Sequence, residues 1–318
     1  MSDSPVDSGN EIEEEEKLSD GEPDEKRVAH IKEDDTDVDL THARLDEVPS
    51  LSHVKNLETL CLRQNRIKKI ENLGNLSSLV DVSFYDNLLT TIEGLDDVVN
   101  LTFLDVSYNK TKRIQNIEHL TNLKKLFLIK NRISRMENLS TLINITMLEL
   151  GSNRIRRIEG IETLVNLEEL FLGQNKITKL ENLDSLQSLK LLSIQSNRII
   201  KIEGLENLHN LEDLYLSHNG IKKIENLENN KKLSTFDVGA NLVEEIENIE
   251  HLEELSEFWC NDNKVSNWNG IEKLRPLKKL ETVYLERNPL ELQDRSGYRR
   301  KILLALPQIT QLDATMTR

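Results

Sequence analysis

The chain has 318 residues and a formal net charge of −15, with 37% apolar, 31% charged and only 4% aromatic residues. So few rings beside so much Leu and Ile argue against one large mixed core and for many small, similar layers. Cys61 and Cys260 make no C-x-x-C or other metal spacing, no signal peptide opens the chain, and no apolar run of membrane-spanning length occurs. This argues against a disulfide framework, a cysteine metal site and a membrane span, and for a reducing compartment.

The charge is uneven. Residues 1–40 hold 16 Asp and Glu against 4 Lys and Arg, so −12 of the total lies there and the other 278 residues carry −3. Residues 1–37 read as an acidic disordered tail, of which 1–27 are too charged and too poor in large apolar side chains to fold. Ser19, followed by Asp20 and Glu22, is a candidate phosphorylation site in acidic context.

From Val38 a repeat takes over. Asn recurs at 65, 87, 109, 131, 153, 175, 197, 219, 241 and 263, ten times at a spacing of 22, and again at 288 after 25. Each stands in a version of Leu-x-x-Leu-x-Leu-x-x-Asn-x-Ile-x-x-Ile, as in Leu167, Leu170, Leu172, Asn175, Ile177 and Leu180. Val38, Leu40, Leu45 and Val48 carry the pattern backward with Ala43 in place of Asn, a degenerate first copy. Apolar alternation before the Asn predicts a short strand with one buried face. The step of three after it, as at Ile155, Ile158, Ile161 and Leu164, suits a 3₁₀ or similarly tight turn, so each unit reads as a strand, a turn and a short helical return. No single unit buries its apolar edge alone, so units stack into a solenoid with one continuous core.

The Asn suits a buried bend where backbone groups lose their partners, because its amide both donates and accepts. Six positions on, Glu71, Glu93, Glu137, Glu159, Glu181, Glu203, Glu225 and Glu247 form a second ladder, expected at the start of each helical return. Lys68, Arg135, Arg156, Arg157 and Lys223 lie just before such acids and give a charge-laced rim that argues against nucleic acid. The sequons at Asn75, Asn100, Asn138 and Asn144 are by-products of the repeated phrase and are expected to stay unmodified. The repeat runs over 38–291 and gives way to a cap, 292–318, with an amphipathic helix from Tyr298 to Leu306 stopped by Pro307.

The middle outward position of each strand lies four residues before the Asn. Down the stack it reads Cys61, Ser83, Asp105, Phe127, Glu149, Phe171, Ser193, Tyr215, Asp237, Trp259 and Tyr284, so five of eleven are aromatic in a chain that is 4% aromatic. Rings gathered on one strip point to a protein interface, expected on the concave face. With the flanking outward columns, the face holds Asp81, Asp105, Glu149, Glu169, Asp213, Asp237, Glu257 and Glu286 against Arg63 and Lys125, which predicts a basic-edged partner. Phosphate-binding loops, dinucleotide loops, zinc-protease and serine-hydrolase motifs are all missing, and the seven histidines are scattered. The reading is a non-enzyme without catalytic residues, cofactor or metal.

At this level of detail the chain resembles a known family. The Ile158-Glu159-Gly160-Ile161 phrase is similar to the short intracellular class of leucine-rich repeat, and Tyr284–Leu290 through Tyr298-Arg299-Arg300 to Leu312–Thr315 resembles its C-terminal cap. The whole body resembles the leucine-rich-repeat regulatory subunits of protein phosphatase 1 (the regulatory subunit 7 family). Leu60–Asn65, Glu149–Arg156 and Glu257-Phe258-Trp259 fit that family well. The resemblance implies an α/β solenoid, a right-handed superhelix of about 11–12 repeats of 22 residues with a parallel sheet on its concave face. It implies a nuclear and cytoplasmic regulator with a mitotic role, bound to the catalytic subunit of protein phosphatase 1 and, in a ternary complex, to inhibitor 3. Neither nucleic acid nor membrane is implied as a partner. The family's contact positions fall on Asp105, Phe127, Glu149, Phe171, Asp237, Glu257, Trp259 and Tyr284. Lys26-Arg27-Val28-Ala29-His30 approaches the short docking peptide of many phosphatase regulators but ends in His where an aromatic anchor belongs, so binding by the solenoid is favoured. A structural adaptor for another complex, ribonucleoprotein or cytoskeletal, is the alternative.

Overall fold

The computed structural model describes residues 25–317; Ser19 and the first part of the acidic tail lie outside them. Twelve three-residue strands follow one another in a single parallel sheet. They are β1 Asp37–Asp39, β2 Thr59–Cys61, β3 Asp81–Ser83, β4 Phe103–Asp105, β5 Lys125–Phe127 and β6 Met147–Glu149, then β7 Glu169–Phe171, β8 Leu191–Ser193, β9 Asp213–Tyr215, β10 Thr235–Asp237, β11 Glu257–Trp259 and β12 Thr282–Tyr284. Registers between full repeats advance by one 22-residue unit, as in Thr59↔Asp81 and Phe127↔Glu149. The central residue of each strand is buried, so the alternation read from the sequence sets which way every strand faces.

The Asn ladder holds the coils in line. Asn153 donates through Nδ2 to the carbonyls of Leu128 (2.8 Å), Leu150 (3.1 Å) and Gly151 (3.1 Å), while its Oδ1 accepts from Ile133 N (3.0 Å). One amide thus serves two coils. The same bonds recur from Asn65 to Asn263. The residue before each ladder Asn takes a left-handed conformation, Ser152 at φ 53° for example, so the strand breaks sharply there.

The returns keep the tight turns that the step of three suits, but these do not join into the expected short helix. They are successive tight turns rather than helices: Leu76 N donates to Leu73 O (2.9 Å) and Leu79 N to Leu76 O (3.1 Å), three residues apart each time. A helix rises only ~1.5 Å per residue and would not carry so short a unit around its circuit. Extended residues between single turns cover the distance, and the step of three is kept. A short helix, α2 Asn269–Glu272, appears where the spacing lengthens to 25.

The Glu ladder is correspondingly not a helix-terminus feature. Glu137, Glu159 and Glu181 pair with Arg113, Arg135 and Arg157 of the preceding coil at 2.9, 2.9 and 3.1 Å. One residue beyond the Glu lies a second amide ladder that the periodicity did not single out. Asn72, Asn116, Asn138, Asn182, Asn226 and Asn248 all have positive φ and donate to a carbonyl one coil back at 2.7–2.8 Å. Gly94, Gly160 and Gly204 occupy the equivalent bend; a Cβ on Gly94 would come within 2.2 Å of Ile70 O, so only a residue without one fits there.

Both ends are closed. Among the described residues, structure is present before residue 37: α1, Glu25–Ala29, precedes β1, and Val28 and Ile31 pack against the core. Arg27 donates to Thr41 O (2.5 Å) and Asp39 O (2.8 Å), covering backbone acceptors that an edge strand leaves open. The peptide that approaches a docking motif is thus built into this first cap. At the far end come α3 Pro289–Gln293, α4 Tyr298–Ala305, β13 Gln311–Leu312 and β14 Thr315–Met316. Asp313 ties the cap down, accepting from Leu285 N (2.8 Å), Glu286 N (3.0 Å) and the Tyr298 hydroxyl (3.0 Å).

Replacing Asn153 by Ala removes an amide serving four buried backbone groups, which costs roughly 1–3 kcal/mol. Urea unfolding of Asn153→Ala should show a lowered midpoint with unchanged slope; an unchanged midpoint would contradict the ladder's structural role.

Candidate protein-binding face

The sheet brings the candidate residues onto one face. Asp105, Phe127, Glu149, Phe171, Asp237, Trp259 and Tyr284 each end a strand, in one column, and Glu257 opens β11 beside it. From β4 to β12 there are eight strand steps, so at ~4.8 Å per step the column runs roughly 38 Å. That is the length of a protein interface and too long for one small ligand.

The rings do not stand free, as their outward direction had suggested. Phe127, Phe171, Tyr215, Trp259 and Tyr284 are half-buried, because strands this close press neighbouring side chains together. Trp259 sits between Tyr215 and Tyr284, with ring centroids 6.5 and 5.6 Å away in edge-on arrangement. Phe127 leans on Phe103 at 5.2 Å. The Trp259 indole nitrogen is buried without an acceptor among the described residues. These side chains form a preassembled apolar floor, ordered before any partner arrives.

The acids of the column are tied to their own strand ends. Asp105, Glu149 and Asp237 accept from the backbone N–H two residues on, at Ser107 (2.9 Å), Gly151 (2.7 Å) and Gly239 (2.9 Å). Glycine matters at two of these places: a Cβ on Gly151 would lie 2.7 Å from Glu149 Oε1, and one on Gly239 3.2 Å from Asp237 Oδ1. The acid-x-Gly spacing was the sequence signal for this fold-back, and it is visible only once the strand end is known. Burial pushes the Glu149 carboxyl up to about 7, against the lesser opposing effect of the Gly151 hydrogen bond. Burial likewise raises Asp237, which hydrogen bonds from Ser217 and Gly239 partly offset. Burial also raises Asp81, with Arg63 lowering it and Asp105 raising it further.

The N-terminal end of the face carries a polar cluster that the column alone did not reveal. Arg63 donates from Nε to Ser83 Oγ (2.8 Å) and reaches Asp105 Oδ2 at 3.4 Å. Its guanidinium also lies 5.7 Å from the centre of the Tyr85 ring, which meets Tyr108 at 4.8 Å. Asp105 is therefore paired within the chain, whereas Glu149 and Glu257 form no ion pair among the described residues.

This architecture has the leucine-rich-repeat fold. The sequence family described as Leucine Rich repeats (2 copies) matches residues 55–97, 143–185, 187–229 and 209–251. An internalin of Listeria monocytogenes has the same fold, with TM-score 0.70 and 24% identity over 88% of this chain and 87% of that one. A leucine-rich-repeat protein of Leptospira interrogans also gives TM-score 0.70, with 23% identity over 84% of this chain and 75% of that one. Among curated proteins the chain is similar to Protein phosphatase 1 regulatory subunit 7 of Xenopus tropicalis, 56% identical over 52 residues, which are 16% of this chain and 14% of that protein. The human protein of the same name is 52% identical over 52 residues, again 16% and 14%. Protein phosphatase 1 regulatory subunit SDS22 homolog of Caenorhabditis elegans is 57% identical over 42 residues, 13% of each. The matched stretch thus spans about one seventh of the relatives' length.

Glu149 makes a pH prediction. Its carboxyl keeps its proton to about pH 7 when folded, against an ordinary value of 4.5, so the folded state binds the extra proton between these limits. Stability should fall as pH rises through that window, and the deficit should be complete above it. Glu149→Gln keeps the acceptor for Gly151 N and removes the charge. Its advantage over the parent should be about 1–3 kcal/mol at pH 8 and near zero below pH 4.5; equal advantages at both would show that the carboxyl is not held neutral.

Proposed function

We propose that this chain is a non-catalytic regulatory subunit that binds the catalytic subunit of protein phosphatase 1 in its concave face. On this reading it modulates that enzyme's activity, assembly or localisation, in nucleus and cytoplasm and with a role in mitosis. What carries the reading is the column itself. Five rings and three acids lie along one preformed strip, and the positions implied by the resemblance fall on it or directly beside it. The relatives' printed names supply the partner; they lend no support to inhibitor 3 as a third component.

The chemistry fits a docking surface. Half-buried Trp and Tyr lose little conformational freedom on binding and offer large apolar area, the usual properties of interface hot spots. The surplus acidity of Glu149 and Glu257 favours a partner with Lys or Arg at matching positions. The structural-adaptor alternative shares the fold and differs in its partner.

Trp259→Ala should weaken capture of the phosphatase catalytic subunit at least tenfold, consistent with hot-spot losses of ~2 kcal/mol or more. It removes two ring contacts and no core residue, so the unfolding free energy should fall by about 1–3 kcal/mol while the chain still folds. Surface plasmon resonance with purified catalytic subunit, alongside thermal melts, separates the two effects. Full-strength capture by folded Trp259→Ala would remove the concave face as the site, and no capture by the parent chain would leave the adaptor reading.

A further inference from the structure

The edge of the sheet where the strands end carries charge of the opposite sign to the concave face. The residue after each ladder Asn is Lys110, Arg132, Arg154, Lys176 and Arg198 in five consecutive coils. Lys112, Lys130 and Arg156 flank this row. Four steps at ~4.8 Å make a strip roughly 19 Å long. Within it, the segments 108–112, 130–134, 152–156, 174–178 and 196–200 contain no Asp or Glu. The neighbouring cations Arg113, Arg135 and Arg157 are neutralised by Glu137, Glu159 and Glu181. The strip is not: none of its members forms an ion pair among the described residues, and all but Lys176 are exposed. Lys130 rests over the Tyr108 ring at 4.9 Å, an interaction that leaves its charge uncompensated.

Such a row in a chain of net charge −15 is a surface for an acidic segment, and the same chain contains one. Residues 1–24 hold ten Asp and Glu against Lys17 alone, with five of the acids packed into 11–16. We infer that the acidic N-terminal segment docks on the cationic strip formed by Lys110, Arg132, Arg154, Lys176 and Arg198.

Position supports this. The segment joins α1, which Arg27 fastens to Asp39 and Thr41 at the end of β1, on the sheet edge that carries the strip. From β1 to β4 is ~14 Å and to β8 ~34 Å. A chain of 24 residues reaches up to ~80 Å, and the nine residues from Glu16 to Glu25 up to ~30 Å. The concave face is acidic and repels the segment, and the Arg–Glu ladder is already neutral, so the strip is the complementary surface within reach. Tethering makes the contact intramolecular, with an effective concentration in the millimolar range, so modest attraction suffices. The strip borders the concave face, and a docked segment would place its negative charge beside any partner seated there.

Zero-length carbodiimide coupling of the full chain, read by mass spectrometry, tests the inference. Carboxylates at 11–16 should couple to Lys110, Lys112, Lys130 and Lys176 at least fivefold more than to Lys179, Lys201 and Lys223. The preference should vanish in 0.5 M salt, where screening extends to a few ångströms. It should also vanish in Arg132→Gln/Arg154→Gln/Arg198→Gln, which keeps every lysine acceptor and alters only exposed side chains; circular dichroism checks its fold. Coupling spread evenly over both sets of lysines, or unaffected by the triple substitution, overturns the inference. So does a gel shift in which the full chain binds a labelled single-stranded RNA and the triple variant does not, since the strip would then be open to nucleic acid rather than occupied.

Discussion

The amide of the ladder asparagine is the interaction on which the rest depends. Each coil leaves the strand at a sharp left-handed step and strands its backbone groups in the interior, where an unpaired N–H or C=O is costly. One side chain with two donors and an acceptor answers this, and it answers for two coils together: Asn153 joins Leu128 and Ile133 to Leu150 and Gly151. The coils are therefore stapled in series, each to its neighbours, and stability spreads along the stack as local terms. Residues on the outside of a coil are released from any duty to the core, which leaves the faces open to specialise.

Three faces use that freedom differently. The turns on the return carry Arg–Glu pairs from coil to coil, which are exposed and contribute little energy each. Their main effect is to cancel charge on that side. The strand ends on the concave side collect aromatic rings and acids. Over five consecutive coils the edge between them collects Lys and Arg in segments that contain no acid. A body with a net charge of only −3 is thus strongly divided by sign, because the 22-residue period places each column of the repeat on one face.

Period and direction were legible in the sequence because they are properties of a repeat. A spacing held across ten asparagines fixes the register, and the Leu-x-Leu alternation fixes which side of each strand is buried. The strand column from Asp105 to Tyr284 therefore fell where the pattern placed it. The returns were harder. A step of three suits a 3₁₀ helix and a chain of isolated turns alike, and only the circumference of the coil decides between them. The second ladder at Asn72, Asn116 and Asn138 was hidden because Gly replaces Asn in some coils, so no single letter repeats. At the front end, the charge of residues 25–36 outweighed two apolar anchors, Val28 and Ile31, whose worth depends on a core edge that only the folded stack provides. Half-burial of the rings escaped for a related reason: alternation gives the direction of a side chain and says nothing of how closely its neighbours on adjacent strands stand.

That crowding also links the site's electrostatics to its apolar floor. Rings packed along the column exclude water from the acids between them, which is why Glu149 is driven towards neutrality while Asp105, beside Arg63, has its charge answered from within. A carboxyl held near pH 7 is poised. Left alone, it is easily protonated and adds little repulsion to an already acidic face. Approached by a lysine or arginine, it is drawn back to the charged form, since an opposite charge in a water-poor setting is worth far more than in bulk solvent. Association with a cationic group there releases a proton, and by linkage the attraction grows as pH rises towards about 7. An arrangement of this kind discriminates by charge as well as shape. A neutral partner would leave the carboxyl protonated, and a basic one draws it into an ion pair that offsets the cost of burying its charge.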